Sequence, residues 1–264
     1  MKIIYITDIH EMKYERLSGE SYLFLHGGIN GQEISVRYLE EKGWDVLPYY
    51  QGTNLKEADA IRFCDHKCFY EGWKLLRAEG VLNRSICELK ESNVVDRKCG
   101  KRVLKKIKNA FPFFLTYVDD IVDNKKFFKT WLNHDERTFV YKEREEFYKR
   151  GLAAIICTNV VYKEEDGELY TTRKTIIEFF ENHLEYKFGL YGRYWDGYRN
   201  WRGIVKEKSD VYGKYKFAFC LENSRVNGYI TEKIFDCFQE GIVPIYGGAY
   251  NVKSYIPEEC FIDF

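Results

Sequence analysis

Two successive alternations of apolar strand and helix, separated by a charge-rich stretch near residue 145, predict an α/β chain. It divides into two Rossmann-like domains facing one another, residues 1–145 and 146–264. A glycine-rich turn, His26-Gly27-Gly28-Ile29-Asn30-Gly31, supplies the third observation. It follows the first strand and opens a helix, as in a βαβ unit, so the sheets are expected to be parallel.

In the first half, Ile3 to Thr7 reads as a buried strand, and Glu33 to Lys42 as a helix with Ile34, Tyr38 and Leu39 on one face. Gly43 closes that helix and Trp44 to Tyr49 forms the next strand. Ser85 to Leu89 and Phe113 to Tyr117 are further strands, each followed by polar residues where a cleft could form. Charge dominates from Asn124 to Arg150, and the run from Lys142 to Glu146 reads as an exposed helix or hinge. In the second half, Leu152 to Cys157 is a strand ended by Thr158 and Asn159, and Arg173 to Leu184 is a helix with Ile176, Ile177, Phe179 and Phe180 available to pack. Lys187 to Tyr191 and Phe217 to Leu221 are strands, Thr231 to Glu240 is a helix, and Ile242 to Tyr246 is a strand.

At 264 residues, with 45% hydrophobic and 31% charged residues, the chain has the make-up of a globular protein and not of a disordered one. Lys plus Arg number 41, as do Asp plus Glu, so the balance asks for no nucleic acid. The basic run Lys98 to Lys108 reads as a solvated helix face in preference to a membrane patch. Eight cysteines at irregular spacing do not form a disulfide framework. Cys64 and Cys68 could sit one helical turn apart around His66, but no second pair at zinc-like spacing follows. Cys157, Cys220 and Cys237 lie in apolar runs and read as reduced core residues. The opening strand soon meets Asp8 and His10, too early for a signal peptide or anchor. A cytoplasmic protein is therefore expected, with peripheral contact at the inner face of a membrane left open.

The chemistry concentrates between Tyr215 and Lys233. A strand ends in Glu222 and Asn223, a polar loop follows, and a helix opens with Thr231 as N-cap and Glu232 and Lys233 in its first turn. Ligands of open α/β sheets bind outside the carboxyl ends of the strands, where a helix N-terminus offers N–H groups to a pyrophosphate. Lys233 adds a full charge, Tyr229 a hydroxyl donor, and Glu232 an acceptor for sugar or ribose hydroxyls. These are the needs of a nucleotide-sugar site, although Thr-Glu-Lys is also ordinary helix capping. Gly247-Gly248 after the next strand is either a close backbone approach to the ligand or simply a turn.

The run from Tyr215 to Asp263 resembles the donor-binding signature of the α1,3/α1,4-fucosyltransferases, glycosyltransferase family 10. The matching pieces are Tyr215-Lys-Phe, Glu222-Asn223, Gly228-Tyr-Ile-Thr-Glu-Lys233, Val243-Pro-Ile-Tyr-Gly-Gly-Ala249, Tyr255-Ile-Pro257 and Phe261-Ile-Asp263. Upstream, Cys157-Thr-Asn159, Arg173 and Tyr191-Gly-Arg193 also fit, as does the segment from Phe114 to Asp120; the likeness fades before residue 85. The resemblance implies a GT-B-like pair of domains with a cleft between them, GDP-fucose as donor, a glycan as acceptor, and inversion at the anomeric carbon. It implies that Arg173 and Lys233 neutralise the pyrophosphate while Asn223, Tyr229 and Glu232 hold phosphate, ribose or fucose. It places a general base in the first domain, where Glu91 is the first choice and Glu88, which could face outward on its strand, the second. It implies no required metal or other cofactor, and puts Asp119-Asp120 outside the donor site. The C-terminus at Phe264 is short for this architecture. With no anchor in view, a lipopolysaccharide or capsular glycan is the expected acceptor. The alternatives are a related transferase using another nucleotide sugar, or a binding module without turnover.

Overall fold

The computed structural model describes residues 1–6, 14–16, 22–24, 39–48, 53–65, 69–89, 108–131, 147–160 and 167–264. The chain divides into two compact units, Met1–Glu136 and Arg137–Phe264, a boundary inside the charge-rich stretch. Both are α/β with parallel sheets.

The first unit runs β1 (Lys2–Ile6), β2 (Tyr14–Arg16), β3 (Tyr22–Phe24), β4 (Asp45–Pro48), β5 (Ala60–Asp65), α1 (Phe69–Ala78), β6 (Ser85–Leu89), β7 (Phe113–Thr116) and β8 (Phe127–Lys129). Six of these strands form one sheet in the order β4-β1-β5-β6-β7-β8, every pairing parallel, while β2 and β3 pair antiparallel with each other. Alternation along the strands puts Ile61, Phe63, Cys87, Leu89 and Phe114 into one core with Phe69 and Leu76 of α1. Gly43 follows the helical residues 39–41 at φ +77°, the left-handed stop that the sequence indicates. The glycine-rich turn and most of the helix after it lie outside the described residues.

Two elements here depart from the sequence expectation. Cys64 stands in β5, an extended strand, so the helical Cys64–Cys68 turn does not exist; Cys68 and His66 lie outside the described residues. The tertiary pairing of β5 between β1 and β6 overrides the weak local pattern of Ala-Ile-Arg-Phe-Cys-Asp. Likewise β8 forms within the charged stretch, because Asp123 accepts the backbone N–H groups of Lys125, Lys126 and Phe127 at 2.7–2.9 Å and turns the chain back alongside β7. Those three donors hold the Asp123 carboxyl down to about 2.

The second unit runs β9 (Gly151–Ile156), α2 (Tyr170–Asn182), β10 (Phe188–Tyr191), α3 (Ser209–Tyr212), β11 (Tyr215–Leu221), α4 (Glu232–Glu240), β12 (Val243–Gly247) and β13 (Ile262–Asp263). The order β10-β9-β11-β12-β13 is wholly parallel. Side chains alternate between two cores. Ala153, Ile155 and Leu221 pack with Ile177 and Phe180 of α2, whereas Ala154, Ala218 and Cys220 pack with Ile234 and Cys237 of α4. A sheet covered on both faces needs apolar residues on both, which is why its strands read as continuous hydrophobic runs. Cys220 and Cys237 are buried free thiols and Cys157 is partly buried. Among the described residues, no helix is long and apolar enough to cross a membrane.

Candidate functional site

In the second sheet β10 lies on one side of β9 and β11 on the other. The strand order reverses there, and at such a switch point the crevice between the carboxyl ends of two adjacent strands stays open for a ligand. A cavity of about 350 Å³ occupies that place. Its walls come from the end of β9 (Ile155 to Thr158), the end of β11 (Phe219 to Leu221, then Asn223), the start of α2 (Tyr170, Arg173), Lys208 ahead of α3, and Glu232 and Lys233 at the start of α4. Four of the five donor-site residues expected from sequence therefore meet in one cavity: Arg173, Asn223, Glu232 and Lys233.

Arg173 is only 8% exposed, and one guanidinium nitrogen, Nη2, makes three bonds. It donates to the carbonyls of Leu221 and Glu222 at 2.7 Å and to Asn223 Oδ1 at 3.1 Å. The guanidinium also lies 4.8 Å from the Tyr170 ring centre. One edge of the fork is thus tied to the strand end, which fixes the group's position and keeps its remaining donors for an anion. Asn223 Oδ1 is held by Arg173, so its amide is oriented before any ligand arrives.

Glu222 was not singled out in the sequence as more than part of a motif, yet it organises the site. Its carboxylate is fully buried and accepts the Thr231 N–H at 2.7 Å, the Thr231 hydroxyl at 2.6 Å and Lys233 Nζ at 3.1 Å. Thr231 occupies the N-cap position of α4 with extended backbone, but its side chain does not cap the helix. The hydroxyl points its proton at Glu222 instead, because a fully buried carboxylate needs donors more than a partly open helix end does. Lys233 Nζ also donates to Thr231 Oγ1 at 2.8 Å and lies 3.6 Å from Glu232. Burial alone would weaken the Lys233 ammonium; Glu222 and Glu232 outweigh it and hold its pKa above the ordinary value. Burial pushes the Glu232 carboxyl up, and Lys233 and Lys208 more than reverse that, so Glu232 stays an ionised acceptor.

Gly248 is needed by the protein's own packing. A Cβ there would come within 2.3 Å of the Tyr246 hydroxyl and 2.6 Å of Glu222 Cγ, so the glycine lets protein approach protein behind Lys233, not backbone approach ligand. Gly192, at φ +124°, answers a similar need: a Cβ would lie 2.0 Å from the carbonyl of Cys157 at the cavity wall.

Lys208, which ion-pairs with Asp236, was missed from sequence; it sits in a charged loop with no pattern to distinguish it. Tyr229 is 2% exposed and does not line this cavity. Glu91 lies outside the described residues. Glu88 does not face outward: it is 1% exposed and accepts Arg62 at 2.8 and 3.2 Å through both oxygens. Asp119 in the first unit takes the Lys129 ammonium at 2.6 Å. Among the described residues, no group of three or more His, Cys, Asp or Glu could hold a metal.

Among the described residues the net charge of the walls is positive, three cations against Glu232, with apolar surface from β9 and β11 between them. Such a site suits an anion joined to a hydroxyl-bearing body. Cys157 offers a probe of it. Burial raises its thiol to about 11 although Arg173 opposes this, and only the thiolate alkylates readily. Iodoacetamide labelling of Cys157, followed by peptide mass spectrometry, is expected to be slow at pH 7–8 and to climb towards pH 11. Fast labelling at neutral pH would contradict the burial.

Residues 147–264 match the family model described as glycosyltransferase family 10 (fucosyltransferase), C-terminal domain. Over 49 residues, 19% of this chain, the sequence is 47% identical to an α-(1,4)-fucosyltransferase of Arabidopsis thaliana, covering 12% of that protein. Over 66 residues, 23% of the chain, it is 38% identical to the α-(1,3)-fucosyltransferase FucT of Helicobacter pylori, covering 14% of it. The matched segments are thus a small part of each relative's length. Among solved structures, an α1,3-fucosyltransferase superposes with a TM-score of 0.60 at 16% identity, over 98% of this chain and 72% of that one. Another crystal structure, an α1,3-fucosyltransferase with GDP, gives 0.57 at 14% identity, over 100% and 74%. At such identities the likeness is one of fold.

Proposed function

We propose, from the premise that residues 147–264 are a glycosyltransferase family 10 (fucosyltransferase) C-terminal domain, that the chain moves fucose from GDP-fucose to a glycan hydroxyl with inversion. One observation carries this reading: the switch-point cavity gathers Arg173, Lys208 and Lys233 around a single ionised acceptor, Glu232. The cations meet the pyrophosphate, and Glu232 and Asn223 take hydroxyls of the ribose or the fucose.

In the transfer, the acceptor oxygen attacks the anomeric carbon from the face opposite GDP. The bond from that carbon to the β-phosphate oxygen breaks, and its electron pair leaves with GDP. Negative charge therefore grows on the phosphate as the bond lengthens, and fixed cations stabilise that change more than they stabilise bound substrate. The proton of the acceptor hydroxyl goes to a carboxylate of the first unit. Glu91 is the better proposal for it, since both oxygens of Glu88 already accept from the Arg62 guanidinium. No cofactor enters this scheme. A bacterial surface glycan remains the proposed acceptor.

Calorimetric titration with GDP, GDP-fucose, GDP-mannose and UDP-galactose tests the donor. GDP and GDP-fucose are expected to bind, and Arg173→Ala to weaken both by about 10- to 100-fold, the range for a hydrogen-bonded charge. Preference for UDP-galactose would move the chain to another nucleotide sugar. No binding by a folded chain would remove the donor site altogether.

A further inference from the structure

The second unit has another concavity, at the opposite ends of the same strands. It measures about 480 Å³ and is floored by the first residues of β9, β10 and β11: Gly151, Phe188 and Tyr215. Among the described residues, four cations line it, Lys187, Arg199, Arg202 and Lys214, and no carboxylate does. All four are exposed, and among the described residues none of them forms an ion pair. In a chain whose charges balance at 41 against 41, four like charges around one groove repel one another unless an anion sits among them.

Two acids of the described residues close by in sequence, Glu181 and Glu185, do not provide that anion. Glu181 places one oxygen on the Arg199 N–H at 2.7 Å and the other on the Asn200 N–H at 2.8 Å, so it shapes the loop and leaves the guanidinium groups alone. Glu185 precedes Tyr186 in the turn and is not part of the lining. Arg202 is held in place: its backbone N–H donates to Leu190 at 2.8 Å, and its Nη1 to the carbonyls of Arg199 at 2.8 Å and Trp201 at 3.3 Å. Tyr215 is equally fixed, its hydroxyl 3.1 Å from that of Tyr191. A Cβ at residue 189 would fall 2.2 Å from the Tyr215 oxygen, so the glycine there admits the ring. The groove therefore joins a positioned guanidinium and a positioned phenol to three further exposed cations.

We propose that this groove binds a phosphate group, a phosphomonoester or phosphodiester, carried by a ligand other than the nucleotide of the switch-point cavity. Phosphate fits better than carboxylate for two reasons. A guanidinium fork bonds two phosphate oxygens at once and leaves others for the lysines. A second negative charge, where present, answers a second pair of cations. The groove is open, so the phosphate is the exposed end of a larger body: either a lipid headgroup or a soluble phosphorylated molecule. The proposal does not rest on the fucosyl-transfer reading, because the two sites share no lining residue.

The test uses the whole chain with GDP present to fill the other cavity. Inorganic pyrophosphate is titrated calorimetrically, and co-sedimentation with phosphatidylglycerol–phosphatidylcholine vesicles is measured in parallel. Lys187→Gln with Lys214→Gln removes two exposed charges that hold nothing in the fold; Arg199→Gln with Arg202→Gln removes the other two. Each pair is expected to weaken binding by about 30-fold. Loss of pyrophosphate binding identifies a soluble phosphate as the ligand chemistry. Loss of vesicle binding alone identifies a headgroup. If neither probe binds, or both bind the lysine variant as they bind the parent, the proposal is overturned. The donor reading is checked separately by GDP binding to Lys233→Ala, so either can fail without the other.

Discussion

Lys233→Ala is expected to lower kcat/KM for fucosyl transfer by about 100- to 1,000-fold, the usual cost of removing one positioned donor to a developing charge. The ammonium is held on one side by Glu222 at 3.1 Å and Thr231 Oγ1 at 2.8 Å while its other face belongs to the cavity wall. It is therefore already in place when the phosphate arrives, and no rearrangement has to accompany bond breaking. Lys233→Arg keeps the charge but not the fit, since a planar fork cannot occupy the place of a compact ammonium against Glu222. It is expected to recover GDP affinity and little of kcat. Transfer assays with GDP titrations on both variants give the comparison. A Lys233→Ala chain that transfers within a few-fold of the parent would sink the proposed role.

Glu222→Ala should have the largest effect on folding. It strips the acceptor from the buried Thr231 N–H and hydroxyl and from Lys233, and leaves a void against Tyr246 and Gly248. A broken buried pair typically costs about 3–5 kcal/mol, and Lys233, partly open to solvent, softens this towards the lower figure. Glu222→Gln keeps one oxygen for the Thr231 N–H but loses the charge and sets an amide NH2 where the second oxygen accepted Lys233, so its loss should be smaller, about half as large. Denaturant unfolding of both variants measures the difference. The glutamine variant also separates structure from function: Lys233 keeps its charge but loses its anchor, so GDP should still bind while kcat falls. Equal loss of both would make Glu222 merely structural.

Much of this was legible in the sequence because the second half carries strong, regular signals. The strand Phe217 to Leu221 and the helix from Thr231 to Glu240 stand within two residues of β11 and α4, and four of the residues proposed for the donor site line one cavity. What escaped reading depends on partners far along the chain. β5 is a strand because it lies between β1 and β6, and nothing local in Ala60–Asp65 says so. Glu222 looked like a strand-end acid, and its role appears only when Thr231 and Lys233 fold back on it. Lys208 carries no pattern at all. The switch point could not be read either, since strand order is a property of the sheet. Residues near Glu91 stay with the sequence reading, being outside the described residues.

Arg173 is bonded to acceptors 48 to 50 residues further along the chain. On the ribosome, at about 5–20 residues per second, the guanidinium is made ~3–10 s before Asn223 exists. During that interval α2 can form, but its cation has no carbonyls to hold it and the cavity has no second wall. The cavity is therefore a late product of synthesis, closed when β11 slots in beside β9, and if it is the proposed donor site, nascent chains halted before that strand should not be retained on immobilised GDP.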